Sequence, residues 1–516
     1  MNSSPRLPGT TADGRPIGRG LDLPMKDLRE KAIRGGFARV VAQTIFFVLR
    51  VGALMVLARL LDPKEFGLVG MVTAFTGVLN LFRDFGLSTA TVQRATVTDE
   101  QISTLFWINI LAGVILGLLL SASAPIISSF YHEPRLFWVT IVLATGFFFN
   151  AAGVQHSALL QRQMRFTALA MIQIISLVAS TALGIGLAVA GYGYWALVVM
   201  SVVLPLVSTA CFWLATSWIP GAPRKRVGVR PLMRFGVTVT LNSLVIYLAY
   251  NLDKILLGRY WGAEVLGLYG RSYQIISIPT DNLNSAVGEV AFAALSRVQD
   301  DPKRLKSYFL KGYSLVVALT VPITIIIALF SHDLIMVILG AKWNGAAAIL
   351  QLLAPTILIF ALMNPVGWLL ASTGMVGRCL KIGLVITPVV TAGYVLGLPY
   401  GPRGVAFGFS AAMTLLTVPL TVWGLRGTVV SFRNVLGVVS RPVLSGIVAT
   451  AVPLGMQFLY GHSLSPFPRL LLETCLLLGT YLAMLLYVMR QKGFYVDLFR
   501  GLARRPSVEP NSMIPA

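Results

Sequence analysis

Apolar stretches of about 20 residues recur along almost the whole chain, and each is long enough to cross the hydrocarbon core of a bilayer as a helix. Only 12% of the 516 residues are charged, whereas 56% are hydrophobic. Soluble globular domains carry about 25% charged residues. The pattern excludes a water-soluble enzyme and a long disordered chain, and it predicts an all-α polytopic membrane protein.

The spacing of the apolar stretches predicts fourteen spans in groups of six, six and two. They lie near residues 36–61, 66–90, 100–125, 135–158, 166–190, 193–218, 232–258, 264–292, 306–330, 343–371, 377–398, 403–425, 436–459 and 468–489. We therefore expect an N-terminal six-helix bundle over 36–218, a linker loop over 219–231 and a C-terminal six-helix bundle over 232–425. Two additional helices follow over 426–490, and basic tails occupy 1–35 and 491–516.

The basic residues indicate the orientation in the membrane. The chain has 42 Lys and Arg residues against 20 Asp and Glu residues, and most of the basic ones fall in the two tails and on the side of the linker loop. Because cytosolic loops carry the excess of Lys and Arg, both termini are expected in the cytosol. The same distribution argues against nucleic-acid binding. The first 35 residues lack the pattern of a cleavable signal peptide, so we expect a flexible cytosolic tail.

A short internal repeat relates the two predicted bundles. Arg59-Leu-Leu-Asp-Pro-Lys-Glu-Phe-Gly-Leu-Val-Gly70 recurs as Arg259-Tyr-Trp-Gly-Ala-Glu-Val-Leu-Gly-Leu-Tyr-Gly270, with Arg, Gly, Leu and Gly matched at an offset of about 200 residues. Because six spans is an even number, both units run in the same direction, and an axis along the membrane normal should relate them. Two such bundles are expected to meet around a central cavity.

Polar residues inside the predicted spans indicate which faces line that cavity. Arg50 lies halfway along the first span with Gln43 two turns earlier, and an Arg there costs about 2.5–3.5 kcal/mol unless it faces protein or water. Two helices of the second unit carry polar arcs, formed by Tyr247, Tyr250, Asn251 and Lys254 and by Arg271, Gln274, Asp281, Asn282, Ser285 and Glu289. The arcs predict a polar path. The alternative is that Asp253, Lys254, Asp281 and Glu289 pair with one another to hold the bundles together.

The cations of this path favour an anionic ligand. Arg50, Lys254 and Arg271 are our candidates for binding phosphate or another anion, by charge and, for Arg, by bidentate hydrogen bonds. The neighbouring Tyr and Asn side chains suit sugar rings and most other polar solutes. Enzyme motifs are missing: the chain has no Walker A or His-Glu-x-x-His sequence, and its four His and three Cys residues have no metal-ligand spacing. We therefore expect a non-enzyme without a metal site or cofactor.

Several motifs in a fixed order resemble those of one family over about residues 30–425. They are Leu57-Ala-Arg-Leu-Leu-Asp-Pro-Lys-Glu-Phe-Gly67, Asp84-Phe-Gly-Leu-Ser88, Gln161-Arg-Gln-Met-Arg-Phe166, Gly191-Tyr-Gly-Tyr-Trp-Ala196, Asn251-Leu-Asp-Lys254, Gly267-Leu-Tyr-Gly270, Ser296-Arg-Val-Gln-Asp-Asp301 and Leu339-Gly-Ala-Lys-Trp343. The chain thereby resembles the Wzx-type polysaccharide flippases of the multidrug/oligosaccharidyl-lipid/polysaccharide (MOP) superfamily. The resemblance implies a bacterial cytoplasmic (inner) membrane protein that moves an undecaprenyl-diphosphate-linked oligosaccharide between leaflets by alternating access.

The resemblance also implies an energy source and partners. The substrate would be a repeat unit of an exopolysaccharide, capsule or O-antigen, and a polymerase and other assembly proteins are possible partners. A gradient of H⁺ or Na⁺, or downstream polymerisation, would drive transport, with Asp84, Asp281 and Glu289 as candidate ion carriers. The last two helices would hold the prenyl tail in a groove, with span thirteen bent at Pro442 and Pro453. Two alternatives stay open: a multidrug or small-metabolite exporter of the same superfamily, and a non-transporting membrane component of polysaccharide assembly.

Overall fold

A computed structural model describes residues 25–83, 91, 98–223, 230–460, 464–493 and 495, and within these ranges every regular element is helical. The remaining residues lie outside them: 1–24 of the first tail, 84–90 of the second predicted span, 92–97, 224–229 of the linker loop, 461–463 between the last two predicted spans, and 494 and 496–516 of the second tail. The all-helical architecture predicted from the apolar stretches is therefore observed.

In the described residues of the first half of the molecule there are seven α-helices. They are α1 (Met25–Leu60), α2 (Pro63–Asn80), α3 (Asp99–Ala122), α4 (Ala124–Tyr131), α5 (Leu136–Arg162), α6 (Phe166–Val189) and α7 (Tyr194–Thr216). Helix α2 starts at Pro63, which needs no backbone N–H partner, and the Glu65 carboxylate accepts the backbone N–H of Asp62 at 2.9 Å. Helix α1 begins at Met25, so residues 25–35 of the predicted tail are helical.

The second half contains nine long or short α-helices within the ranges given above. They are α8 (Arg230–Arg297), α9 (Pro302–Leu329), α10 (Ser331–Ile338), α11 (Ala346–Leu353), α12 (Pro355–Ser372), α13 (Val376–Gly397), α14 (Gly401–Leu425), α15 (Phe432–Tyr460) and α16 (Pro466–Ala483). Two predicted spans lie within α8, which is interrupted at Gly262 with φ 82° and ψ −177°. That conformation is open almost only to glycine, so the two parts of α8 can change direction there without a connecting loop.

Ten candidate membrane spans lie within the described ranges, and one of them, over Gly377–Leu425, covers both α13 and α14. The molecule is therefore a multi-pass membrane protein, while the count of fourteen spans stays a prediction. Helix α2 and the described part of α8 are not among the ten. In α2, the polar residues Lys64, Glu65 and Asn80 lower the hydropathy of an 18-residue helix.

The main contact between the two halves is the packing of α2 on α8. A Cβ atom built on Gly67 would overlap the carbonyl oxygen of Ala263, and one built on Gly267 would overlap that of Pro63. Positions 63 and 263, like 67 and 267, are 200 residues apart, as in the sequence repeat. The two matched glycines thus make reciprocal contacts, and both let two helix backbones approach closely.

The last two helices, α15 and α16, pack on each other and against α9. The Tyr481 hydroxyl of α16 donates to the Ala318 carbonyl of α9 at 2.8 Å. Arg469 at the start of α16 pairs with Asp333 of α10, and both side chains are largely buried. These contacts attach α15 and α16 to α9 and α10. The role of the pair α15 and α16 as a groove for the prenyl tail stays a prediction.

Candidate functional site

A cavity of about 190 Å³ lies where α2 crosses α8. It is lined by Phe66, Gly70, Thr73, Ala74, Tyr247, Asn251, Lys254, Leu266, Gly267, Gly270 and Arg271. Four of the predicted binding residues, Tyr247, Asn251, Lys254 and Arg271, therefore share one cavity. We refer to it as the cation cavity.

Arg271 occupies one wall of the cation cavity. Its guanidinium carbon lies 4.3 Å from the centre of the Phe66 ring, and its Nη1 donates to the Gln274 side chain. Stacking on an aromatic face fixes the plane of the guanidinium and leaves other N–H groups available to a ligand. Arg50 of α1 lies close enough to Arg271 and Asp281 for its charge to act on both. Arg50 is exposed and does not line the cavity itself.

Lys254 occupies the wall formed by the first part of α8. Its ammonium donates to the Asn251 amide oxygen at 2.6 Å and lies 4.5 Å from the centre of the Tyr273 ring. The Tyr247 hydroxyl donates to the Ala74 carbonyl of α2 at 3.2 Å and so spans the helix crossing. Neutral partners orient the ammonium without cancelling its charge, which leaves it able to bind an anion.

Other predicted residues lie away from the cation cavity. Asp281 and Asn282 are exposed further along α8, and Asn282 donates to the Ile278 carbonyl at 2.7 Å. Tyr250 contacts Phe360 and Phe409 and lines a different cavity. Gln43 lines a third cavity, of about 240 Å³, instead of continuing a stripe from Arg50. Asp84 and the side chains of Ser285 and Glu289 lie outside the described residues.

The structure adds Asp253, for which the sequence suggested only a role as an ion-pair partner. Its carboxylate is fully buried, accepts the Tyr269 hydroxyl at 2.7 Å and accepts the backbone N–H of Lys254 at 2.8 Å. No ion pair joins Asp253, Lys254 and Asp281 in the described part of the chain, and the ion-pair alternative, which includes Glu289, stays a prediction. In the sequence, the signal for Asp253 was its position directly before Lys254 of the polar arc. Its partner Tyr269 lies beyond the break at Gly262, so the sequence did not indicate their contact.

One end of the molecule is closed by contacts between the α1–α2 turn and the segment that follows α10. The Trp343 indole donates to the Ala58 carbonyl at 2.7 Å, the Lys342 ammonium lies 2.8 Å from the Asp62 carboxylate, and Arg59 donates to the Val337 carbonyl at 2.9 Å. We call this set of contacts the latch. Both of its sides belong to motifs that carried the family resemblance, and the structure brings them together.

The cation cavity suits an anionic ligand. Two cations, Lys254 and Arg271, line it. Neither of them, nor the nearby Arg50, has an ion-pair partner within the described ranges. Groups of three or more His, Cys, Asp or Glu side chains able to hold a metal are likewise not found among those residues. The arrangement can bind and release a charged group, and it offers no nucleophile paired with a base.

Comparisons with known proteins agree with this geometry. A family model described as "Polysaccharide biosynthesis protein" matches residues 56–348. The chain belongs to this family. Its resemblance to the Wzx-type flippases is also confirmed. The matched region contains both copies of the repeat, the latch and all residues that line the cation cavity, whereas Arg50 precedes it.

Relatives and a solved structure extend the comparison. The chain is 28% identical to the lipopolysaccharide biosynthesis protein WzxC of Escherichia coli over 76% of this chain and 80% of that protein. It is 23% identical to the succinoglycan biosynthesis transport protein ExoT of Rhizobium meliloti over 91% and 96% of the two chains. The fold is similar to that of the lipid II flippase MurJ in an inward closed conformation, with a TM-score of 0.72 at 14% identity, covering 90% of this chain and 99% of that chain.

Proposed function

We propose that this family member flips an undecaprenyl-diphosphate-linked oligosaccharide across the bacterial cytoplasmic membrane, with both termini in the cytosol. The observation that carries the proposal is the cation cavity. A diphosphate has a compact negative charge that must leave water to cross the membrane, and Arg and Lys side chains inside the protein lower the cost of that transfer. A polysaccharide-biosynthesis relative described as a transport protein supports a transport role.

We infer that transport proceeds by alternating access of two bundles related by the repeat. The latch closes one end of the α2–α8 crossing, whereas Asp281, Asn282 and Asn284 are exposed along α8 toward its C-terminal end. This arrangement supports a state open to the cytosol and closed to the outside. Opening the latch while the opposite ends of the bundles approach would expose the cation cavity to the other side.

We propose Asp281 as the ion carrier among the carboxylates whose side chains are described. Its side chain is exposed, and the charge of Arg50 acts on it. A proton or Na⁺ bound to the Asp281 carboxylate would therefore alter the charge that the substrate meets. Replacing Asp281 with Asn should make flipping insensitive to an imposed H⁺ or Na⁺ gradient. Flipping by Asp281→Asn that still responds to either gradient as the wild type does would remove the assignment.

Binding measurements test the proposed substrate. The purified protein should bind undecaprenyl diphosphate at least tenfold more tightly than undecaprenol, which has the same tail without the phosphates. Arg271→Ala should abolish this preference, and Arg271→Lys should retain part of it because it keeps the charge but loses the bidentate geometry. Equal binding of the two lipids by the wild-type protein would contradict the proposal. Arg403→Ala, an exposed position outside the cavity, is the matched control.

The charge of the cavity also separates this function from its closest rival. An exporter of cationic drugs would need carboxylates where the substrate rests, but the residues lining the cation cavity include Lys254 and Arg271 and no acid. Because like charges repel, Lys254 and Arg271 would disfavour a cationic drug in this cavity. An anionic lipid headgroup is the better match.

A further inference from the structure

A second cavity, about twice the volume of the first at about 380 Å³, lies within the second half of the molecule. It is lined by residues of α8, α12, α13 and α14, among them Tyr250, Asn284, Phe360, Asn364 and Trp368. We call it the inner cavity. Its size and mixed lining are those of a site for a small organic group.

Three polar side chains of the inner cavity have no protein partner among the described residues. Asn284, Asn364 and the Trp368 indole make no hydrogen bond there, and none of them is an enclosed polar group. Two amides supply four N–H donors and two acceptor oxygens, and the indole adds one donor. Because these groups are accessible and line the cavity, they can form hydrogen bonds with a polar ligand.

Aromatic faces accompany these polar groups. Trp368 packs against α8 at Gly288, where an added Cβ would lie 3.0 Å from the indole, and Tyr250 and Phe360 meet edge to face at 5.8 Å between ring centres. A pyranose ring has an apolar C–H face that stacks on aromatic rings and a rim of hydroxyls that both donate and accept. An aliphatic chain would use the aromatic faces alone and would form no hydrogen bonds with the two amides.

The inner cavity shares a wall with the cation cavity. Tyr250 is one helical turn from Lys254 on α8, and the two residues line the two cavities from the same helix. A substrate whose diphosphate rests beside Lys254 and Arg271 could therefore extend its sugars past Tyr250. Asn284 is exposed, so the inner cavity also opens toward the accessible face of α8.

We propose that the inner cavity is a carbohydrate subsite that holds sugar rings of the lipid-linked substrate, with Trp368 stacking on a ring and Asn284 and Asn364 bonding its hydroxyls. The proposal rests on the proposed function and adds a second contact region to it. Sugar recognition is thereby assigned to α8 and α12, and diphosphate recognition to the crossing of α2 and α8.

Two lipids distinguish the subsite from the cation cavity. One is undecaprenyl diphosphate, and the other is the lipid-linked oligosaccharide fraction extracted from the bacterium that encodes the chain. We expect the wild type to bind the oligosaccharide fraction at least tenfold more tightly. Trp368→Leu and Asn284→Leu should each reduce that difference by about tenfold and leave undecaprenyl diphosphate binding unchanged, whereas Trp138→Leu, an exposed Trp of α5, should change neither.

Each other outcome has a defined meaning. An equal loss of binding for both lipids in Trp368→Leu and Asn284→Leu would mean that the cavity holds the prenyl chain, and would overturn the subsite. Unchanged binding of both lipids in both variants would also overturn it. A wild-type protein that binds neither lipid would contradict the proposed function instead. Because Asn284 is exposed, its variant keeps the test available if Trp368→Leu does not fold.

Discussion

The indole of Trp343 donates a hydrogen bond to the carbonyl of Ala58 at 2.7 Å, although 285 residues separate the two in sequence. The Trp343 side chain is fully buried and meets the Phe66 ring edge to face at 5.3 Å between ring centres. Ala58 and Phe66 flank the α1–α2 turn, and Trp343 follows α10. The bond therefore joins the first half of the molecule to the second at the closed end of the α2–α8 crossing.

Trp343 should contribute far more to the unfolding free energy than the neighbouring ion pair between Lys342 and Asp62. Trp343→Ala removes a fully buried aromatic ring, and we expect a loss of about 3–5 kcal/mol in unfolding free energy. Lys342→Ala should cost less than about 1 kcal/mol because its side chain is 51% exposed and that of Asp62 is 63% exposed. Chemical unfolding in detergent measures both. Equal losses for the two variants would contradict the account.

The glycine contacts between α2 and α8 predict a steric effect that depends on position. Gly67→Ala places a Cβ on the Ala263 carbonyl, so we expect a loss of about 1–3 kcal/mol in stability. Gly270→Ala is the matched control, since no atom lies within 4 Å of its added Cβ, and it should be neutral or stabilising. Unfolding curves that do not differ between these variants would mean that the helices are not in close contact.

The buried pair between Asp333 and Arg469 predicts a pH dependence. Partial burial raises the pKa of the Asp333 carboxyl, but hydrogen bonds and charge from Arg469 and His332 outweigh burial, so the net pKa is lowered. The pair should therefore stabilise the fold fully above the unfolded-state pKa of about 3.9 and lose its effect as pH falls through the lower folded pKa. The Tm difference between wild type and Asp333→Asn should be constant from pH 5 to 7 and disappear below about pH 3–4. A difference that persists unchanged at pH 3 would refute the pairing.

Asp253 and Tyr269 should behave as a coupled pair. Asp253→Leu leaves the fully buried Tyr269 hydroxyl without its acceptor, which costs about 1–3 kcal/mol. The double variant Asp253→Leu with Tyr269→Phe removes both partners and should recover part of that loss. A double-mutant cycle on unfolding free energies gives the coupling, which we expect at about 0.5–3 kcal/mol. Strictly additive losses would show that the hydrogen bond does not form.

Sequence patterns were sufficient for the helical architecture and for part of the site. Apolar length identifies membrane helices without a template, and the cationic arcs brought Asn251, Lys254 and Arg271 to one cavity. Helical periodicity gives the direction of a side chain but not the helix that it meets. For that reason Tyr250 was grouped with Lys254, whereas α12 and α14 supply its neighbours Phe360 and Phe409.

Contacts between distant segments were not predictable in the same way. The latch joins residues near 60 to residues near 340, and nothing local in either motif indicates the other. The predicted spans 232–258 and 264–292 anticipate the interruption of α8, but only the φ of 82° at Gly262 shows that the chain changes direction there without a loop. The inner cavity is formed by four helices, and the sequences of α12, α13 and α14 do not indicate that they meet the polar face of α8.

Flipping in proteoliposomes tests the central claim most directly. A fluorescent undecaprenyl-diphosphate oligosaccharide is incorporated, and its protection from an external quencher is followed for the wild type, Arg50→Ala, Lys254→Ala, Arg271→Ala and the control Arg403→Ala. We predict protein-dependent flipping in the wild type and the control, with rates at least tenfold lower in the three variants that lack a cation. Wild-type rates in all three of these variants, or no flipping above empty liposomes, would contradict the account.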